Sequence, residues 1–191
     1  MKHPLLLTAF LLSLIPPAAA VDRSQASCAV GAISLYSEAM AAAVTGSAQL
    51  IAEQRPSLAE IAELHGQLQA AAAQRQQLQF KWAARHDPQR LNLAQGVAGA
   101  ALLPWSADDE QRLQSGEPDY KDLSREHARL RKQVDAHPDN ARFYAYLRGG
   151  FLKSPDYLAS VSGLGQAVLS AEAELQRCAQ IAARPQRSLT E

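Results

Sequence analysis

Apolar residues recur every three or four positions along most of the chain, which is the spacing of an α-helix that buries one face. The first such stripe, over residues 24–54, consists of Val30, Ile33, Ser37, Met40, Val44, Ser47 and Ile51. The second, over residues 57–85, consists of Ile61, Leu64, Leu68, Ala71, Arg75, Leu78 and Trp82. No segment of the sequence alternates apolar and polar residues over the length of a strand. The pattern therefore predicts an all-α fold.

Prolines and capping residues divide this pattern into separate helices. Ser57 and Glu60 fit a capping box at the start of the second helix, and residues 106–109 look like the cap of a short one. Ser154 followed by Pro155 predicts the start of a last helix that runs to about Ala183. Between these, a further stripe is formed by Tyr120, Leu123, His127, Leu130 and Val134. Three long helices with shorter ones between them are therefore expected.

The first twenty residues have the organisation of a secretory signal peptide. Lys2 supplies a positive charge, residues 5–15 are uncharged and mostly apolar, and three alanines precede Val21. The apolar run would reach only about 16 Å as a helix, against a bilayer core of about 30 Å. We therefore expect cleavage after Ala20, export to the periplasm or the medium, and no membrane span in the mature chain.

Cys28 and Cys178 are the only two cysteines. In an exported protein they predict a disulfide, which would place the first and last helices side by side and antiparallel. The predicted fold is an elongated antiparallel helical bundle in which this disulfide joins the first and last helices. Residues 21–191 are expected to form a single helical domain, with 184–191 as a flexible tail.

Charge and motifs exclude several classes of function. The chain carries 19 basic and 19 acidic residues, so a broad surface for nucleic acid is not expected. It contains neither a G-x-S-x-G nor a P-loop motif, and no H-x-x-x-H, E-x-x-H or C-x-x-C-H motif. The sequence thus predicts no catalytic residue, no cofactor and no metal site, and it favours a non-enzymatic role.

An uncharged segment, residues 91–105, is the candidate partner surface. Its large apolar residues are Leu91, Leu93, Val97, Leu102, Leu103 and Trp105. They could form an exposed loop that docks a partner, or a short buried helix that closes one end of the bundle. Gly96 and Gly99 would give the segment mobility.

Four residues form a candidate ligand cluster: His65, His127, Tyr144 and Arg148. His65 and His127 lie on or beside the apolar stripes of two different helices, so the two imidazoles could meet in the bundle interior. Tyr144 and Arg148 belong to an aromatic segment with interspersed cations, which could hold an anionic or sugar-like ligand. The alternative is that both histidines are core residues and that the aromatic segment is a helix–helix joint.

These observations favour an exported, non-enzymatic protein that binds another envelope protein or has a structural role there. A small-ligand or metal carrier that uses the bundle interior is the alternative, and an enzyme without a recognisable motif is the second alternative. The sequence makes no prediction of the oligomeric state.

Overall fold

The computed structural model describes residues 20–181, and every regular element in this range is helical. Its α-helices are α1 (Arg23–Gln54), α2 (Ala59–His86), α3 (Gly96–Ala101), α4 (Ala107–Gly116), α5 (Pro118–Ala136), α6 (Asn140–Arg148), α7 (Pro155–Ser160) and α8 (Ser162–Ala179). Short 3₁₀ turns occur at Pro56–Leu58, Pro88–Arg90, Leu93–Gln95 and Phe151–Lys153. The predicted all-α fold is confirmed. Apart from Ala20, the predicted signal peptide lies outside the described residues, and so does the predicted tail.

The bundle is organised around α1, which packs along α2 on one side and along α8 on the other. Helix α5 packs against α2. Cys28, near the start of α1, is bonded to Cys178, near the end of α8, with a Cα–Cα distance of 5.5 Å. Because the bond joins the beginning of one helix to the end of the other, α1 and α8 run antiparallel. The predicted bundle with its disulfide is therefore confirmed.

The predicted last helix is divided in two at Val161, which separates α7 from α8. The hydroxyls of Ser160 and Ser162 donate to the carbonyls of Tyr157 and Ala159, both at 2.8 Å. Such local side-chain bonds favour turns over a continuous helix. The apolar periodicity carries no signal for this break, because the stripe continues through it.

Helix starts agree with the capping predictions at two places and disagree at a third. Ser154 caps α7 as predicted, and its hydroxyl accepts the backbone N–H of Tyr157. Ser106 and Asp109 form the predicted capping box of α4. Ser57, in contrast, lies inside a 3₁₀ turn, and α2 begins at Ala59 without a side-chain cap. The capping box predicted for Ser57 and Glu60 is wrong, because Pro56 starts a tighter turn before the α-helix begins.

Two clusters of buried side chains lie at different places along the bundle. The first, which we call the crosslinked core, contains Val21, Ala26, Ala29, Ala32, Ile33, Phe80, Ala83, Ala84, Leu91, Leu93, Val97, Ala100, Ala101, Ala171, Leu175 and Cys178. The second, which we call the cavity core, contains Ile51, Leu58, Ile61, Ala62, Leu68, Ala71, Leu130, Val134, Phe143 and Phe151. Both use α1 and α2, and they are completed by different helices.

Helix α1 is also long and apolar enough, by length and composition, to cross a membrane. Helices in the core of a globular protein, and signal sequences, have the same properties. In this chain α1 packs against both α2 and α8, and it contributes Ile33 and Ile51 to the two cores. The absence of a membrane span from the mature chain stays a prediction.

Candidate functional site

The four residues of the predicted ligand cluster do not come together. His65 contacts Tyr144, with ring centroids 5.8 Å apart, whereas His127 lies beside Arg75. On α2, His65 and Arg75 are ten residues apart, which corresponds to about 15 Å along the helix axis. Arg148 is exposed at the end of α6. The prediction of one cluster is corrected: the two histidines lie in the stripes of different helices but at different heights of the bundle.

His65 lines a cavity of about 120 Å³ in the cavity core. Its walls come from α1, α2, α6, α7 and the turn before α7, and are formed by Val44, Ser47, Ala48, Ile51, Ala62, His65, Gly66, Phe143, Leu147, Phe151 and Tyr157. The imidazole ring packs against Phe143, with ring centroids 5.0 Å apart. Burial lowers the pKa of His65, so the ring is neutral at pH 7. Among residues 20–181, neither ring nitrogen has a hydrogen-bond partner.

His127 belongs to a second group of polar residues, which we call the polar layer: Arg75, Gln79, Glu110, Tyr120 and His127. The hydroxyl of Tyr120 donates to Glu110 Oε2 at 2.6 Å and accepts from Gln79 Nε2 at 2.8 Å and Arg75 Nη2 at 3.1 Å. Arg75 Nη2 also lies 3.1 Å from Glu110 Oε1. The layer thus joins α2, α4 and α5 through side chains that are buried or half-buried.

Protonation in the polar layer follows from its geometry. Burial would raise the pKa of Glu110, but the hydrogen bonds from Tyr120 and Gln114 and the charge of Arg75 outweigh it and lower that pKa. Burial, the charge of Arg75 and that of Arg131 lower the pKa of His127, against the opposing charge of Glu110. Since Arg75 Nη1 can only donate, His127 Nδ1 at 3.3 Å is the acceptor. The neutral ring therefore carries its proton on Nε2.

The carboxylate of Glu110 in the polar layer has both oxygens occupied by hydrogen bonds. Glu110 Oε1 accepts from Arg75, Gln114 and Ser124, while Oε2 accepts from Tyr120. A carboxylate that already accepts several hydrogen bonds is held in place and is a weak base. The arrangement therefore fixes helices to one another and does not resemble an acid–base pair that awaits a reactant.

Arg75 shows what the sequence reasoning missed. It occupies a position in the apolar stripe of α2, and His127 occupies one in the stripe of α5. A cation within an apolar stripe signals a buried partner, because burying a charge alone is costly. Here Arg75 and His127, the polar residues in the apolar stripes of α2 and α5, contact each other.

Asp109 is the most buried carboxylate among the described residues, with 3% of its surface exposed. It accepts from Arg90 Nη2 at 2.8 Å and from the hydroxyl of Ser106 at 2.8 Å. The hydrogen bond from Arg90 and those from Ser106 lower the pKa of Asp109 to about 2. Arg90 also lies over the ring of Trp105, 5.2 Å from its centroid. These contacts tie the segment that leaves α2 to the start of α4.

The predicted partner surface at residues 91–105 is largely buried. Leu91, Leu93 and Val97 belong to the crosslinked core, as the alternative of a short buried helix expected, and they do not form an exposed loop. Leu103 and Trp105 are half-buried, and only Leu102 is exposed, by 64%. The segment folds into a 3₁₀ turn and α3, whose apolar side chains pack between α1, α2 and α8.

Gly96 holds this segment to α8. Its φ of +72° is a conformation that favours glycine, and a Cβ there would lie 2.6 Å from Glu172 Oε1. The same oxygen accepts the backbone N–H of Val97 at 2.8 Å. The glycine therefore permits a close approach of the backbone to Glu172.

A second long uncharged stretch, besides the segment at residues 91–105, lies on α7 and α8. From Tyr157 to Ala171 the chain has no charged residue. Within this stretch, which we call the uncharged surface, Leu158 is 55% and Leu169 65% exposed. The helices pack on α1 with their opposite sides, through Ala171, Leu175 and Cys178 of α8. Two leucines on neighbouring helices are thus left in contact with solvent.

Metal binding has no support within residues 20–181, where no group of three or more His, Cys, Asp or Glu side chains is close enough to hold an ion. Comparison of the chain with known protein families, with curated proteins and with solved structures finds no match.

Proposed function

We propose that this chain is an exported, non-enzymatic component of the cell envelope that binds another protein through the uncharged surface on α7 and α8. One observation carries the proposal: fifteen consecutive residues without a charge lie on two helices that expose Leu158 and Leu169. Depletion of charged residues distinguishes the centre of a protein interface from the rest of a protein surface. The partner would present an apolar face of matching extent.

Export is supported by two independent features. The first twenty residues have the order of charges, apolar residues and small residues that signal peptidase requires. The disulfide between Cys28 and Cys178 is consistent with an oxidising compartment. Export predicts a mature chain that begins at Val21, and the intact mass of the purified protein from an envelope fraction tests this directly.

The binding test uses two leucines of equal exposure. Leu169 lies on the uncharged surface and is 65% exposed, and Leu102 lies in the segment after α3 and is 64% exposed. A photoreactive amino acid at either position, in cells that express the chain at its natural level, should crosslink a partner only from position 169. Leu158→Ser should abolish that crosslink, whereas Leu102→Ser should leave it unchanged.

The comparison separates the two surfaces. A crosslink from position 102 alone would indicate that the 91–105 segment binds the partner, and it would contradict the proposal. A crosslinked product with twice the mass of the chain identifies a second copy as the occupant, which sedimentation of the purified protein would then reproduce. No crosslink from either position would contradict a protein-binding role for both surfaces.

A further inference from the structure

The cavity beside His65 is lined by aromatic and aliphatic side chains, and its one imidazole has no hydrogen-bond partner among residues 20–181. In the polar layer, by contrast, Arg75, Glu110 and Tyr120 form hydrogen bonds with one another. His65 has only aromatic neighbours, Phe143 and Tyr144, and it faces a space of about 120 Å³. A ligand with a complementary group can form a hydrogen bond with this half-buried imidazole and displace water from the apolar walls around it.

The size of the cavity restricts the ligand. An engineered apolar cavity of about 150 Å³ binds benzene, so a space of 120 Å³ suits one six-membered ring. Phe143, Phe151 and Tyr157 contribute rings to its walls, and aromatic rings prefer edge-to-face contact with one another. A larger ligand would have to displace these side chains.

The charge of the cavity restricts the ligand further. Phe143, Phe151, Ile51 and Ala62 are buried, and none of the lining residues carries a full charge at neutral pH. An ionic ligand would lose its hydration without gaining a counterion, so a neutral molecule is favoured. Because burial keeps His65 neutral, its ring offers one donor and one acceptor, either of which can bond a hydroxyl group.

We propose that the cavity core binds a compact neutral aromatic molecule with one hydroxyl group, of the size of phenol. Its ring occupies the space between α1, α2 and α6, and its hydroxyl forms a hydrogen bond with the imidazole of His65. This ligand site shares only Tyr157 with the uncharged surface, and its other walls come from α1, α2, α6 and the turn before α7.

Phenol and benzene form the test pair, titrated into the purified, disulfide-bonded protein by calorimetry and followed by proton–nitrogen NMR of the histidine rings. Phenol should bind at millimolar concentration or below, and it should shift the signals of His65 and leave those of His127 in place. A His65→Phe variant keeps an aromatic ring against Phe143. We expect it to weaken phenol binding about three- to tenfold, as the loss of one hydrogen bond implies, and to leave benzene binding unchanged within about twofold.

Two further variants control for indirect effects. His127→Gln removes another half-buried imidazole, that of the polar layer, and should leave phenol binding unchanged. Ser47→Leu adds bulk from the α1 wall and should abolish binding of both molecules; if that variant does not fold, the His65→Phe comparison still decides the question. Failure of the folded wild-type protein to bind phenol would overturn the proposal, and so would equal losses of phenol and benzene binding in His65→Phe.

Discussion

The crosslinked core and the cavity core use the same two long helices but are packed in different ways. Eight of the sixteen residues in the crosslinked core are alanine, and the disulfide joins two of its helices, α1 and α8. The cavity core has two alanines among ten residues, and it contains Phe143, Phe151 and a space of about 120 Å³. Small side chains let helices approach closely, whereas large ones leave gaps where their shapes do not match.

The two cores differ in what stabilises them and in the space that they leave for a ligand. Burying a methyl group contributes much less than burying a phenyl ring, so a core rich in alanine gains little free energy per residue. The covalent bond adds to the stability of that core without requiring large side chains. The cavity core is stabilised by aromatic burial and keeps space for a ligand. The region without a crosslink is therefore the one suited to binding.

Removal of the disulfide should have the largest effect and should weaken the crosslinked core first. The bond closes a loop with a sequence separation of 150, for which the chain-entropy relation gives a loss of about 5 kcal/mol in the free energy of unfolding. A Cys28→Ser, Cys178→Ser double variant should lose up to this amount in denaturant titrations. Hydrogen exchange should rise in α8 before it rises in α6.

The reduced wild-type protein is the control for this prediction. It keeps both sulfur atoms and so separates the covalent bond from the loss of packing at buried Cys178. If the reduced and oxidised proteins unfold at the same denaturant concentration, the bond does not stabilise the crosslinked core, and the distinction between the two cores fails.

A matched pair of phenylalanines compares the two cores directly. Phe80 in the crosslinked core and Phe143 in the cavity core are both buried, and truncation of a buried phenylalanine costs about 3–5 kcal/mol. We expect Phe80→Ala at the upper end, because its neighbours are held by the disulfide and cannot fill the space. Phe143→Ala should lie at the lower end, because its surroundings can relax into the existing cavity.

The chemical denaturation midpoints of these two variants provide the measurement. The test is which variant loses more free energy of unfolding. The size of each loss depends on how far the surrounding side chains move into the new cavity. A larger loss for Phe143→Ala would mean that the cavity core is the more rigid of the two.

Tyr120→Phe tests the polar layer that lies between the cores on α2, where Arg75 and Gln79 separate Ala71 from Phe80. The variant removes the hydroxyl that bonds Glu110 and Gln79 and leaves both without that partner. We expect a loss of about 1–3 kcal/mol in the free energy of unfolding. Tyr36→Phe is the matched control, because the Tyr36 hydroxyl has no hydrogen-bond partner among residues 20–181, and it should change stability by less than about 0.5 kcal/mol.

The hydrophobic pattern predicted the helices because burial on one face is a local, periodic property of the sequence. The disulfide then specified which helices are neighbours, as the 5.5 Å between the Cα atoms of Cys28 and Cys178 confirms. The break at Val161 was not predictable from periodicity, since its cause is competition by the hydroxyls of Ser160 and Ser162.

The candidate sites were predicted less well, because they depend on how far each helix is shifted along the bundle axis relative to its neighbours. His65 and His127 were placed on apolar stripes, but nothing in the spacing fixes the offset of α5 against α2. The burial of Leu91, Leu93 and Val97 depends on the backbone approach that Gly96 permits at Glu172, which is a contact between distant segments. The sequence therefore identified His65 as a candidate site residue, but it did not predict the cavity beside it.

The pH dependence of stability should show the smallest effect, and it should arise outside the crosslinked core. Burial lowers the pKa of His65. Burial and the positive charges of Arg75 and Arg131 lower the pKa of His127, and the negative charge of Glu110 raises it by less. Both rings thus bind protons less readily in the folded chain than in the unfolded one, where the pKa is 6.5.

Because the unfolded state binds more protons, the contribution of both rings is fully present above pH 6.5 and is lost as the pH falls through their lower folded values. The carboxylates do not obscure this, since Asp109 has a pKa of about 2 and that of Glu110 lies below 4.5. Denaturant titrations from about pH 7.5 to about pH 5 should therefore show a fall in the free energy of unfolding. His65→Phe and His127→Gln should each reduce that fall. Hydrogen exchange at the lower pH should increase around the cavity core and the polar layer; an increase confined to the crosslinked core would contradict the assignment to these two histidines.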